Sequence, residues 1–129
     1  MSQDTLTIAS PLFKALADRS FDSVMVTRAN EEHGASEIVF VNDAFTDLTG
    51  YGRDEVLGRT PGFLQGEKTD RAELERLEAD LQAGRPFLGQ AVNYRKDGEA
   101  FVMEWTVQRV AEIDGESFYV AVQRKAGDV

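Results

Sequence analysis

The stretch Phe101-Val102-Met103-Glu104-Trp105-Thr106-Val107-Gln108 sets Phe101, Met103, Trp105 and Val107 on one side and Val102, Glu104, Thr106 and Gln108 on the other. A repeat of two is the period of a β-strand, and the aromatic and thioether side marks the face that is buried. On either side of it, Pro86 to Lys96 and Ser117 to Arg124 carry the aromatic and β-branched residues that suit strands. Asp97-Gly98 and Asp114-Gly115 join the three runs, and an Asp-Gly pair supplies the positive φ angles of a tight hairpin turn. The last third of the chain is therefore read as a three-stranded antiparallel meander with one face against a core.

Upstream the period changes. Asp70-Arg71-Ala72-Glu73 has the form of a capping box, with Asp70 as cap and Glu73 reaching back. Leu74, Leu77 and Leu81 follow at helical spacing, and Gly84 stops the helix. Asn42 caps a shorter helix that carries Phe45 and Leu48 and ends at Thr49-Gly50, and Arg53 to Leu57 adds another turn or two. Ser23 to Thr27 and Glu37 to Val41 read as two more strands, with a polar loop from Arg28 to Ser36 between them. Near the start, Ser10-Pro11 opens a helix in which Leu12, Phe13, Leu16 and Ala17 share a stripe. The fold class is α+β: a five-stranded antiparallel sheet with helices packed on one face.

At 129 residues the chain fits one domain with a core of its own. Its apolar runs are far too short to cross a bilayer and its N-terminus lacks the pattern of a signal peptide, so a cytoplasmic protein, or a cytoplasmic piece of a larger one, is expected. The absence of cysteine excludes disulfides, thiolate metal sites and thiol nucleophiles. A net charge of −9 with no basic stripe argues against nucleic acid as a partner. His33, the one histidine, lies in an acidic loop and reads as a solvated residue. No Ser-His-Asp set, metal-ligand spacing or phosphate-cradling glycine loop is present, so neither a catalytic nor a metal site is predicted, and the chain is read as a non-enzyme.

Between the two helical segments lies Gly58-Arg59-Thr60-Pro61-Gly62-Phe63-Leu64-Gln65-Gly66, a connector with three glycines and a proline. Phe63 and Leu64 predict that it folds onto the core. Its frame resembles the flavin-binding motif of LOV domains, the blue-light-sensing branch of the PAS family, which reads Gly-Arg-Asn-Cys-Arg-Phe-Leu-Gln-Gly. Val41-Asn42-Asp43-Ala44-Phe45, Thr49-Gly50-Tyr51, Glu55-Val56-Leu57-Gly58-Arg59, Asn93-Tyr94-Arg95-Lys96-Asp97-Gly98 and Val122-Gln123 extend the resemblance in order. It implies a PAS fold over residues 21–126, preceded by an N-terminal helical extension over 1–20.

The resemblance also implies FMN held between sheet and helices, with Gln65, Asn93 and Gln123 at flavin-contacting positions. A carboxamide offers a donor and an acceptor, which suits the mixed edge of a pyrimidine-like ring. Equally, buried amides bond to one another or to the backbone. Thr60 and Met103 fall where the family has further flavin-facing asparagines. The departures bear on chemistry. Pro61 stands at the photoreactive cysteine, which excludes the cysteinyl-adduct photocycle. Gly62 and Glu78 stand where the family places phosphate-binding arginines, and losing both weakens FMN binding by about two to four decades. Arg71 and Arg76 are candidates to compensate. Met103 and Trp105 read either as core residues filling the flavin space or as the lining of a retuned pocket.

Two functional readings follow. In one, the domain is a sensory or regulatory module of signal transduction that lacks adduct chemistry and works through protein–protein interaction or a non-standard ligand. In the other, it is an adduct-free, FMN-binding light or redox sensor. Either implies a homodimer or a fused or partner signalling domain such as a histidine kinase, with Gln123 relaying events in the pocket.

Overall fold

The computed structural model describes residues 11–30 and 36–129. In order, the elements are α1 (Pro11–Asp18), β1 (Ser23–Asn30), β2 (Ser36–Val41), α2 (Asp43–Thr49), α3 (Arg53–Val56), a 3-10 turn (Pro61–Leu64), α4 (Arg71–Gln82), β3 (Phe87–Tyr94), β4 (Ala100–Ile113) and β5 (Glu116–Asp128). The strands form one antiparallel sheet in the order β2-β1-β5-β4-β3. This is the five-stranded PAS arrangement expected from the sequence.

The meander sits where the alternation puts it. Phe101, Met103, Trp105 and Val107 are buried on the inner face of β4, beneath the helices. At the second hairpin, Asp114 and Gly115 adopt φ of 52° and 82°, the paired left-handed conformations of a tight turn. Strand β1 runs to Asn30 instead of ending at Thr27. It lies between two strands, and Arg28, Ala29 and Asn30 continue its register with Phe118, Ser117 and Glu116 of β5. Ladder bonds on both sides carry polar residues into the strand that a pattern of apolar residues does not reach. His33, Ser10 and the rest of residues 1–10 and 31–35 lie outside the described residues.

The two faces of the sheet are covered differently. Helices α2 to α4 pack on the inner face, where Phe45, Val56 and Leu64 meet Met25, Ile38 and Val41. On the outer face, α1 lays Ala17 and Phe13 over Val24, Val26 and Phe40. The Phe13 ring meets Phe40 edge-on at 5.4 Å. The expected stripe is thus only half buried: Leu12 and Leu16 are 69% and 66% exposed. A short helix seated on a strongly twisted sheet covers one narrow row, and the Phe13–Ala17 row faces inward.

Asn42 fixes the junction of these layers. Its Oδ1 accepts from Phe45 N at 3.1 Å, capping α2, and from Val24 N at 2.9 Å. Its Nδ2 donates to Ala17 O at 2.6 Å and Asp22 O at 3.1 Å. One buried amide therefore holds α1, β1 and α2 in register. At α4, Asp70 caps as expected by accepting from Ala72 N at 2.9 Å. Glu73, however, does not reach back to complete a capping box. It pairs with Arg76 and accepts from Gln90 N on β3, because α4 lies against that strand.

Candidate ligand cavity

The connector shapes the site. Gly58 N donates to Ile38 O and Ile38 N donates to Arg59 O, each at 2.8 Å, so the chain after α3 is tied to the free edge of β2. Pro61 opens the 3-10 turn, where its fixed φ and missing N–H cause no loss. Leu64 is thereby driven into the core, while Phe63 stands edge-on to Tyr51 at 4.8 Å beneath the Arg59 guanidinium. Gly66 brings the backbone against Tyr94: a Cβ there would lie 2.7 Å from Tyr94 Cδ1. The connector folds onto the core, as its apolar pair predicts.

Beneath it the inner face of the sheet and α4 enclose a cavity of about 250 Å³. Leu74, Leu77 and Leu81 of α4 form one wall, and Pro61, Gly62, Leu64 and Gln65 of the connector another. The floor comes from Met25 and Thr27 of β1, Asn93 of β3, Met103, Trp105 and Val107 of β4, and Tyr119, Ala121 and Gln123 of β5. Met103 and Trp105 line the space and do not fill it. Trp105 leans on Phe87, with ring centroids 5.1 Å apart, and this contact keeps the indole against the wall.

Of the sequence-predicted site residues, Gln65, Asn93, Gln123 and Met103 are brought together here. Thr60 is not: it is exposed, one residue before the 3-10 turn, and is not part of the lining. Asn93 Nδ2 donates to Ala91 O at 3.3 Å, and its Oδ1 accepts nothing from the described residues. Gln123 Oε1 accepts from Ser23 Oγ at 2.8 Å, and its Nε2 has only the Met25 sulfur, at 4.0 Å. An acceptor on Asn93 and a donor on Gln123 thus remain for the cavity. A donor and an acceptor lining one cavity are the chemistry that the mixed edge of a flavin ring would pair with.

Sequence reasoning missed Ser23 and Thr27, whereas alternation along the last strand already sets Tyr119 and Ala121 on the face of Gln123. Period two on β1 places Ser23, Met25 and Thr27 on one face, and only the pairing of β1 with β5 sets that face beside Gln123. Arg76 was a candidate ion partner for a ligand, but its guanidinium is engaged elsewhere. It donates to Glu73 Oε1 and to Leu88 O, each at 2.7 Å, and lies 4.5 Å over the Phe87 ring. The hydrogen bond that Arg76 donates to the Glu73 carboxylate raises the pKa of Arg76, and the same bond lowers that of Glu73 against the effect of its burial. Arg71 and Glu78 are exposed and line no part of the cavity.

Known proteins share this fold. Residues 22–124 match the PAS domain family. The blue-light-activated histidine kinase 1 of Erythrobacter litoralis is 44% identical over 79 residues, 61% of this chain and 21% of that protein. The chain thus spans about a fifth of that kinase's length. The LOV domain from the Erythrobacter litoralis EL346 blue-light activated histidine kinase superposes with a TM-score of 0.75 at 31% identity, covering 85% of this chain and all of that one. A light-oxygen-voltage domain from a flavin-analogue study gives a TM-score of 0.78 at 30% identity, covering 94% of this chain and 88% of that one. The match over residues 22–124 and the superposition on light-oxygen-voltage domains over 85% and 94% of this chain place it in the PAS domain family, as a LOV-like sensor domain of signal transduction.

Proposed function

We propose that the cavity binds a flavin ring and that the domain signals its state without a thiol. The observation that carries this is the amide pair: Asn93 Oδ1 and Gln123 Nε2 both face an apolar cavity and lack a strong partner in the protein. No fully buried side-chain nitrogen or oxygen among the described residues lacks a partner, so these two atoms are open to the cavity and available to a ring edge that carries one donor and one acceptor. The flavin supplies absorption and redox chemistry; the chain supplies the amides, the dry walls and Trp105 and Met103 as neighbours. Pro61 holds the connector in shape where the family has its cysteine.

Gln123 is placed to relay. Its Oε1 is bonded to Ser23, at the junction with α1, and Asn42 ties the neighbouring Asp22 to Ala17 of that helix. A change at the Gln123 amide thus reaches α1 through three bonded groups. The output is a protein–protein contact, either with a second copy or with a fused signalling domain such as a histidine kinase. Neither an enzymatic step nor nucleic acid enters this reading, and a cytoplasmic location goes with it. No helix among the described residues is long and apolar enough to cross a membrane.

The test is the visible spectrum of the purified protein after incubation with excess flavin and removal of free dye. A retained, vibrationally structured band is the expected result. A colourless protein that refuses both FMN and riboflavin sinks this reading and leaves a flavin-free interaction module, the second reading, which the exposed Leu12, Leu16 and Phe21 around α1 favour.

A further inference from the structure

Every residue that lines the cavity is uncharged. Its seventeen side chains include no Asp, Glu, Lys, Arg or His. The residues outside the described set, 1–10 and 31–35, contain no Lys or Arg either, so no cation is contributed from there beyond His33 and the chain terminus. The anion-binding devices of backbone origin are also spent. Pro61, at the start of the 3-10 turn, has no N–H, and the first turn of α4 is capped by the Asp70 carboxylate.

Of the cations nearest in sequence, Arg76 and Arg59 are engaged by other groups, and Arg71 and Lys68 are exposed outside the cavity lining. Arg76 is held by Glu73, by Asp80 at 3.5 Å and by Leu88 O, so releasing it would break three contacts. Arg59 lies 4.2 Å over the Phe63 ring. Beside the lining residue Leu77, Glu78 presents a carboxylate that makes no ion pair among the described residues. At Gly62, which does line the cavity, a Cβ would meet nothing within 4 Å, and its φ is not in the left-handed region. A long cationic side chain would fit there without strain, and the chain carries none.

We infer that the site takes an uncharged ligand: a flavin without a phosphate, of the riboflavin class, for which the phosphate of FMN adds no affinity. The inference rests on the flavin reading of the same cavity and specifies its ligand. An anion gains nothing from an apolar lining, and a protein of net charge −9 repels it on approach.

The test titrates the flavin-free full chain with riboflavin and with FMN, following flavin fluorescence at low and at moderate salt. Riboflavin should bind at least as tightly as FMN, and added salt should strengthen FMN alone by screening the repulsion. FMN binding tenfold or more tighter than riboflavin overturns the inference and leaves the flavin reading intact; binding of neither overturns both. The double variant Gly62→Arg/Glu78→Arg supplies the missing cations. It should raise FMN affinity tenfold or more while leaving riboflavin within threefold. An FMN affinity that does not rise, or that rises equally with riboflavin, places the charged end of the ligand elsewhere and counts against the inference.

Discussion

Ser23 and Gln123 face each other across the β1–β5 ladder, and the 2.8 Å hydrogen bond from Ser23 Oγ to Gln123 Oε1 joins the cavity to the start of the first strand. Both residues are nearly inaccessible, at 2% and 3% exposed. Ser23→Ala removes one donor and should cost about 1 kcal/mol, whereas Gln123→Leu leaves a buried hydroxyl without its acceptor and should cost about 1–3 kcal/mol. In urea unfolding the double variant should lose less than the sum of the singles, by about 1 kcal/mol. Additive losses would show that the two side chains do not act as a pair.

Asn42 makes a sharper case, since one side chain serves three elements. Asn42→Ala strands Val24 N, leaves Phe45 N only its bond to the Asn42 backbone oxygen and frees α1, and should cost about 3 kcal/mol. Asn42→Asp retains an acceptor for the α2 cap and loses both bonds donated to Ala17 O and Asp22 O. Amide hydrogen exchange should then show lost protection in α1 with protection in α2 retained. Equal loss in both helices would count against the division of labour between Oδ1 and Nδ2.

Gly66 is required by space and not by φ. Its missing Cβ makes room for the Tyr94 ring, whose hydroxyl accepts from Lys68 N at 2.9 Å. Gly66→Ala should therefore cost about 1–3 kcal/mol by overpacking. Tyr94→Ala removes the obstacle, so the Gly66→Ala penalty measured in that background should fall to a few tenths. A penalty unchanged by Tyr94→Ala would locate the strain elsewhere.

Much of this was legible because local chemistry and tertiary fold agree. The alternation at Phe101–Val107 and the two Asp-Gly turns dictate the meander, and the apolar pair Phe63-Leu64 turns the connector inward. The family resemblance pointed to Asn93 and Gln123, and period two along their strands agrees with the inner face they occupy. What stayed hidden depends on which elements become neighbours. Glu73 has a suitable partner in its own helix turn, but Arg76 and the Gln90 amide compete for it once α4 docks on β3. Thr60 matches a site position by alignment, yet the proline after it fixes a turn that leaves it in solvent. The Leu12–Leu16 row is as apolar as the row that is buried, and only the shape of the sheet decides between them.

The contact between α3 and the first hairpin of the meander predicts an acid-sensitive link. Glu55 pairs with Lys96 and also accepts from Gly52 N at 2.7 Å, and Lys96 N donates to Thr49 O at 2.8 Å beside it. The Lys96 ammonium, and then the Gly52 N–H, hold the Glu55 carboxyl below the ordinary glutamate value. A group whose folded pKa is depressed binds fewer protons when folded than when unfolded. Its contribution is therefore complete above the ordinary glutamate range, and it is lost as pH falls through the lowered native value. Glu55→Gln should be less stable than the parent at neutral pH, and the two unfolding curves should converge in acid, where the parent carboxyl is protonated. Both partners are about half exposed, so the difference should also shrink with added salt. A gap that persists unchanged below the carboxylate range would assign the effect to packing of the side chain and not to its charge.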